Sequence, residues 1–394
     1  MKRLIFAVFA MIFPSLLPAG GAEDFARDSN IYSLRIFNLA VSQKLAKDTA
    51  NLALAPALIQ NQGGALFCGG AGLNAEAAFR LPQNPQECMA QFEKFGPDIK
   101  LREGGFSMAS VIFTKRFLPL KPGFAKTAKS FGLGLDSFNP ELAEVAAVKI
   151  GQWLEWISCG FQNEDFSSSY ISPDANLMLM SSAAFDFSSV RADSEADIKF
   201  AFKSGQVVEK SAARFSRGVA IGEFPDFDAA IFTPQDCAFS VMFFKPKTMQ
   251  RAKAFLANLD AETFENSFKV LKLLAQSGDG SQIVVPKFSF SGGVVNLNSA
   301  VAASGAAAIF KENQYPNFSA EKLKVGNVLQ ACAISFMCEP GAVNQVATKN
   351  FILDRPFAVA VVDNNLGRIL FLSAIENPKK RGGSENKKQT ILEK

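Results

Sequence analysis

The sequence predicts an α+β fold organised around large sheets. Helical spacing of apolar residues dominates from residue 30 to residue 157. From residue 195 onward the apolar residues come in short extended runs separated by turn signals. No internal repeat and no linker interrupts the chain before Pro378. Helices first and strands later is the α+β pattern, and a chain that is 48% hydrophobic can bury one large core.

Taken in order, residues 30–47 carry Leu34, Phe37, Val41 and Leu45 on one helical face, with a second row at Ile31, Leu39 and Ala46. Residues 51–54 are short and extended. Pro56 opens a helix over 57–67, since proline is tolerated in a first turn. Helices follow at 74–80, 122–131 and 140–157, the last with Val145, Val148, Trp153 and Ile157 as inward candidates. Strands are expected at 107–114 and at 177–180, a continuous apolar run suited to a strand buried on both faces. Further strands are expected at 198–202, 229–233, 239–244, 283–290, 328–338, 357–362 and 369–374, with helix within 251–274 and at 298–304. The turn Asp363-Asn364-Asn365-Leu366-Gly367 signals a hairpin between the last two strands.

The termini stand apart. Lys2 and Arg3, the apolar stretch 4–17 and the small residues 18–22 have the order of a signal peptide over 1–22, cut ahead of Glu23. That implies export, to the periplasm or the extracellular space, and no later segment is apolar enough to span a bilayer. Residues 379–394 read as a flexible basic tail. Of the formal +4, Lys2 and Arg3 carry +2. The tail carries another +4, six basic residues against Glu385 and Glu393, so the body over 23–378 carries −2. Such a body gives no reason to expect nucleic acid.

Histidine is absent, which excludes His-based triads and His-ligated metals. Cys68, Cys88, Cys159, Cys237, Cys332 and Cys338 show no metal-binding spacing. Export would permit disulfides, in any of fifteen full pairings. On a single strand, Cys332 and Cys338 would lie ~20 Å apart and could not pair with each other. No catalytic residue, metal or cofactor is indicated, and the sequence does not read as an enzyme. The 39 phenylalanines are a heavy load, for the core or for an apolar groove.

Family resemblance rests on ordered motifs. Asp354-Arg355-Pro356-Phe357, then Asp363-Asn364, Gly367 and Asn377-Pro378, closely resemble the C-terminal signature of the serpins, a family of serine protease inhibitors. The run ending Ala55-Pro56 resembles the family's entry into its second helix, with alanine in place of serine. Ile150 to Leu154 around Trp153, with Ser158 and Gly160, resembles a family helix end. The run from Leu177 to Phe185 resembles a family strand, with Ser181 in place of asparagine. Val285-Pro286-Lys287-Phe288, and Gly305 with Phe310, resemble a further strand and turn. The resemblance covers nearly the whole body. It implies a single-domain serpin fold of three β-sheets and about nine helices, a monomer, and a serine protease as partner. In that fold a cleaved reactive loop inserts into the large sheet and carries the acylated protease with it.

The loop departs from the family pattern. Its hinge here is Glu339, Pro340, Gly341, Ala342 and Val343, where the family favours small residues. Pro340 has no N–H, and Asn344 and Gln345 are polar. From Glu339 to Phe351 the chain can reach at most ~40 Å, and the family pattern has about ten more residues. Lys349-Asn350 is the candidate cleavage site, Lys349 being the only basic residue of the loop. The expectation is an exported serpin-family protein that does not inhibit. An inhibitor with an atypical short loop, and a ligand-binding or structural protein on this scaffold, are the alternatives.

Overall fold

The computed structural model describes residues 21–47, 50–70, 75–95, 106–158, 160, 166–277, 280–341 and 347–379. Residues 1–20 of the expected signal segment and 380–394 of the expected tail lie outside them.

The first half is mainly helical. It runs α1 (Gly21–Ser42), β1 (Leu52–Leu54), α2 (Pro56–Cys68), α3 (Ala75–Phe79), α4 (Pro85–Phe95), β2 (Phe106–Lys115), α5 (Pro122–Ser130), β3 (Leu133–Phe138), α6 (Ala143–Ile157) and β4 (Leu177–Asp186). The second half runs β5 (Ser194–Ala201), β6 (Val207–Phe215), β7 (Val219–Glu223), β8 (Phe227–Phe232), β9 (Phe239–Pro246), α7 (Ala252–Asn258), α8 (Ala261–Ser277), β10 (Ser281–Pro286) and β11 (Ser289–Asn296). It ends with α9 (Asn298–Val301), β12 (Asn313–Gln314), β13 (Lys322–Leu323), β14 (Val325–Ser335), β15 (Lys349–Ile352), β16 (Phe357–Asp363) and β17 (Ile369–Ile375).

Three sheets and nine helices form one α+β domain among the described residues, with β12 and β13 as a separate short ladder. The five-stranded sheet has the order β11-β14-β4-β2-β3. The six-stranded sheet is β1-β17-β16-β9-β8-β7, and the four-stranded one is β15-β10-β6-β5. Between the five- and six-stranded sheets lies a core rich in phenylalanine. Phe185 packs on Phe371 at 5.0 Å, and Phe187 stacks on Phe336 at 4.2 Å. Core filling therefore absorbs most of the phenylalanine load. Phe117, 87% exposed, stands out against it.

Several boundaries moved for identifiable reasons. α1 begins at Gly21, nine residues before its apolar periodicity is evident, because Phe25 and Ala26 extend the buried face and Phe25 meets Phe92 edge-on at 5.1 Å. A cut ahead of Glu23 would fall in its first turn. α4 was not anticipated: only Cys88 and Phe92 of its eleven residues are buried, too few to show a period. Its start is marked by Asn84, whose side chain accepts from the Gln86 N–H at 2.8 Å.

On α6, Val145 and Val148 are exposed rather than inward. The buried stripe is Ala146, Ala147, Ile150, Leu154 and Ile157, rotated from the expected face because small alanines allow close approach to the sheet. Trp153 is half-buried, edge-on to Phe113 at 6.2 Å. The strand expected over 283–290 is two strands in different sheets, broken where Phe288 turns wholly into the core. The helical stretch 251–274 divides at Asp260, which caps α8 by accepting from the Thr263 N–H at 2.7 Å. β14 stops at Ser335, so Cys338 does not share a strand with Cys332.

Candidate functional site

The centre of the five-stranded sheet is a parallel pair. β14 and β4 run side by side from Val325↔Leu177 to Ser335↔Asp186, with a bulge near Asn327. Every other named pairing in this sheet is antiparallel except β2 with β3. A parallel seam inside a mixed sheet is the line along which an antiparallel strand can be added, since the newcomer would pair with both neighbours.

The seam is fastened at three levels. At its lower end the Asn327 side chain donates to the Tyr170 carbonyl at 2.5 Å, and Lys324 is salt-bridged to Asp174. That lysine holds the Asp174 carboxyl at about 2. At mid-height the Gln330 amide accepts from the Ala55 N–H at 2.7 Å. It also donates to the Ala55 carbonyl at 3.0 Å and to the Ser181 hydroxyl at 2.9 Å. All three residues are buried. Ala55 and Ser181 are two of the departures from the family pattern, and they meet here: backbone groups and a short hydroxyl are satisfied by one long amide.

The upper end carries the residues expected to form the hinge. The Cys338 thiol donates to the Phe187 carbonyl at 2.9 Å, and burial pushes that thiol up to about 12. The Ala192 N–H donates to the Glu339 carbonyl at 3.1 Å, and the Gly341 N–H donates back to the Ala192 carbonyl at 2.6 Å. Pro340 lies between these two bonds, bridged to Ala192, so its missing N–H is not called on. A Cβ on Gly341 would come within 2.7 Å of the Ala192 carbonyl oxygen, so only glycine fits. Asp193, next to Ala192, is itself anchored: it accepts from the Ser216 N–H and hydroxyl at 2.6 Å each.

Glu339 and Pro340 are solvent-exposed and Gly341 is half-buried, whereas Ala342 and Val343 lie outside the described residues. Lys349 and Asn350 are exposed, but they are the first two residues of β15, paired in parallel with Ser281 and Gln282 of β10. β15 is held further by the Lys245 ammonium on the Ile352 carbonyl at 2.9 Å and by burial of Phe351.

The signature residues are structural. Pro56 sits in the first turn of α2, Phe185 is buried in β4, Pro286 ends β10 and Phe288 is core. Asp354 and Arg355 pair at 3.2 Å ahead of buried Pro356 and Phe357. Asp363 accepts from the N–H groups of Asn365 and Leu366 at 2.7 and 3.0 Å, and the Asn364 side chain donates to the Cys237 carbonyl at 3.1 Å. Gly367, at φ +70°, closes that turn. Asn377 pairs with Asn51 through its N–H and its carbonyl, both at 3.0 Å, and Pro378 is buried behind it.

Two residues of consequence escape a reading by motif. Gln330 is a lone amide in an apolar run, and that mismatch is its signal. Arg368 is fully buried between α1 and α2. It donates to Ser29 at 2.7 Å, Gln60 at 3.3 Å and Asn61 at 3.2 Å, and lies 4.9 Å from the Phe25 ring. Burial lowers its pKa to about 10.

The family model described as Serpin (serine protease inhibitor) matches residues 33–378. The chain belongs to the serpin family. A curated relative, an uncharacterised serpin-like protein of Thermococcus kodakarensis, is 24% identical over 382 residues, covering 89% of this chain and 86% of that protein. Solved serpin structures superpose over most of the length. Glycosylated human kallistatin gives a TM-score of 0.76 at 14% identity, over 92% of this chain and all of its own. Native protease nexin-1 with heparin gives 0.75 at 16%, over 91% of this chain and all of its own. The thermophilic serpin tengpin in its native state gives 0.73 at 14%, over 93% of this chain and 96% of its own. At these identities the likeness speaks for the fold. The family is one of inhibitors rather than catalysts.

Proposed function

We propose that this serpin is exported, monomeric and non-trapping, acting through its surface rather than by inserting its loop. The observation that carries this reading is the distance available between two fixed ends. Gly341 is bonded to Ala192 and Lys349 opens β15, leaving seven residues between them. The β14–β4 seam takes up the eleven residues of β14, roughly 36 Å at ~3.3 Å per residue. An uncut loop of seven residues cannot enter that seam and return to β15.

Cleavage after Lys349 would free eight residues beyond Gly341, roughly 26 Å of strand. A protease attached there would halt well short of the seam's far end. The seam is also closed on both faces. Met178, Met180, Leu329 and Ala331 pack under α6, and Ala183, Phe185, Cys332 and Ile334 face the phenylalanine core. Asn344 and Gln345 are adjacent, so an inserted strand would bury one amide on each face, at ~1–3 kcal/mol apiece without partners. Export is supported by the order of Lys2, Arg3 and the apolar stretch 4–17. Among the described residues no helix is long and apolar enough to cross a membrane.

The test is to mix the purified protein with trypsin-like, chymotrypsin-like and elastase-like serine proteases and resolve the products on a denaturing gel. Nicking without a covalent complex is expected, and heating the nicked form should show no large gain in Tm. An SDS-stable complex would overturn the reading in favour of an active inhibitor with a short loop.

A further inference from the structure

The turn between β2 and α5 holds a large aromatic where glycine is favoured. The Lys115 carbonyl accepts from the Leu118 N–H at 3.1 Å, which makes Phe117 the third residue of a four-residue turn. Its φ is +66°, a left-handed conformation strained for a bulky L-residue. The ring is 87% exposed, so core packing does not offset that strain. The base of the turn is firm. The Arg116 N–H donates to the Phe138 carbonyl at 2.8 Å, the Lys121 N–H to the Phe318 carbonyl at 2.7 Å and the Ser319 hydroxyl to the Pro119 carbonyl at 2.9 Å. Around the tip the charge is of one sign. Between Glu103 and Asp136 the sequence has five bases, Lys115, Arg116, Lys121, Lys126 and Lys129, and no acid. Asp136 itself is salt-bridged to Lys149 at 2.5 Å. Lys115, Arg116 and Lys121 are exposed, and among the described residues none of them pairs with a carboxylate. The Lys121 ammonium spends one proton on the Pro316 carbonyl at 2.5 Å and keeps the others. The Arg116 guanidinium lies 4.8 Å from the Phe117 ring, and Leu120 adds a second exposed apolar side chain.

We propose that this turn docks the protein on an anionic bilayer, with Phe117 entering the boundary between headgroups and acyl chains while Lys115, Arg116 and Lys121 meet lipid phosphates. An aromatic tip ringed by bases matches both layers of such a surface. The ring gains apolar burial, and the basic side chains keep their charges at headgroup level with their stems along the apolar layer. Charge complementarity alone would also suit an acidic protein, but the apolar area does not. A stable protein interface buries at least ~1,000 Å² with matched shape. One protruding ring and the edge of Leu120 supply a small part of that. A bilayer needs no matched pocket, so a single firm projection is enough to anchor weakly and reversibly. The strain at Phe117 fits this role, since glycine would relax the turn but leave nothing to insert. The inference goes beyond the proposed function and stands whether or not the reactive loop traps a protease.

The experiment uses the full chain with vesicles of phosphatidylcholine alone and vesicles that also contain phosphatidylglycerol. Three bases at roughly fivefold each should favour the anionic vesicles by about a hundredfold at low salt, and high salt should remove most of that margin. Phe117→Gly should weaken binding to the anionic vesicles about tenfold, because the ring's burial is lost. It should not lower Tm, because glycine accepts the left-handed turn. Amide hydrogen exchange over 115–121 is the deciding readout, since it reports the turn itself and not the apolar stretch 4–17 that both chains share. Anionic vesicles should slow that exchange in the wild type and much less in Phe117→Gly. Exchange that they do not slow, or slow equally in the two chains, would overturn the proposal. So would exchange slowed by soluble polyglutamate and not by vesicles, which would assign the turn to an acidic protein.

Discussion

Replacing Gln330 with leucine removes the polar tie at the middle of the seam while keeping the side-chain volume close, so little cavity cost is added. Three hydrogen bonds disappear, to the Ala55 N–H, the Ala55 carbonyl and the Ser181 hydroxyl. The Ala55 carbonyl keeps the Leu58 N–H at 3.1 Å, but the buried Ala55 N–H and Ser181 hydroxyl lose the partner that Gln330 gave them, at ~1–3 kcal/mol each, which gives an expected loss of about 2–6 kcal/mol. The assay is urea unfolding of the intact chain followed by far-UV circular dichroism, comparing midpoints at equal slope. Gln330→Glu is the companion. Its carboxylate still accepts from the Ala55 N–H but cannot donate, and burial raises its pKa above the unfolded value near ~4.3. Because the folded value is the higher one, that variant should be most stable at low pH. It should lose stability as pH rises through the interval between the two values. A leucine variant within about 0.5 kcal/mol of wild type would refute the claim that this amide holds the seam.

Gly341→Ala places a methyl against the Ala192 carbonyl and should release the hinge, seen as several-fold faster nicking of the loop in limited proteolysis. Arg368→Ala removes three buried hydrogen bonds, leaves the Asn61 side-chain oxygen without that donor and opens a cavity, while Ser29 and Gln60 keep each other at 2.8 Å; it should cost about 3–5 kcal/mol in urea unfolding. On α6, Ile150→Ala should cost about 2–5 kcal/mol, whereas Val148→Ala on the exposed face should stay within about 0.5 kcal/mol. Asp260→Ala should cost about 1 kcal/mol through loss of the α8 cap. The Thr263 N–H holds the Asp260 carboxyl below its usual range, so this contribution is present above the unfolded pKa. It fades as pH falls through the folded one, and a pH series of unfolding midpoints checks it.

Much of the fold was legible because its signals are local. Proline at the start of α2, the Asp363–Gly367 turn and the apolar runs of β4, β16 and β17 specify themselves within a few residues. α4, β6 and the division of β10 from β11 were not legible. Their burial is set by what packs against them: half-exposed β6 shows little apolar alternation, and Phe288 changes direction only because two sheets converge on it. The hinge sequence was readable as unusual, but its bonds to Ala192, 147 positions before Glu339, were not.

The sequence by itself determined the family, the α+β class and the lack of histidine chemistry, since each is a matter of residue identity and count along the chain. Only the tertiary structure decided that Gln330 answers both Ala55 and Ser181, and that Lys349 belongs to a strand paired with Ser281. Those are contacts between residues from 68 to 275 positions apart. Nothing in local propensity encodes such a contact; it exists only once the sheets and helices have packed.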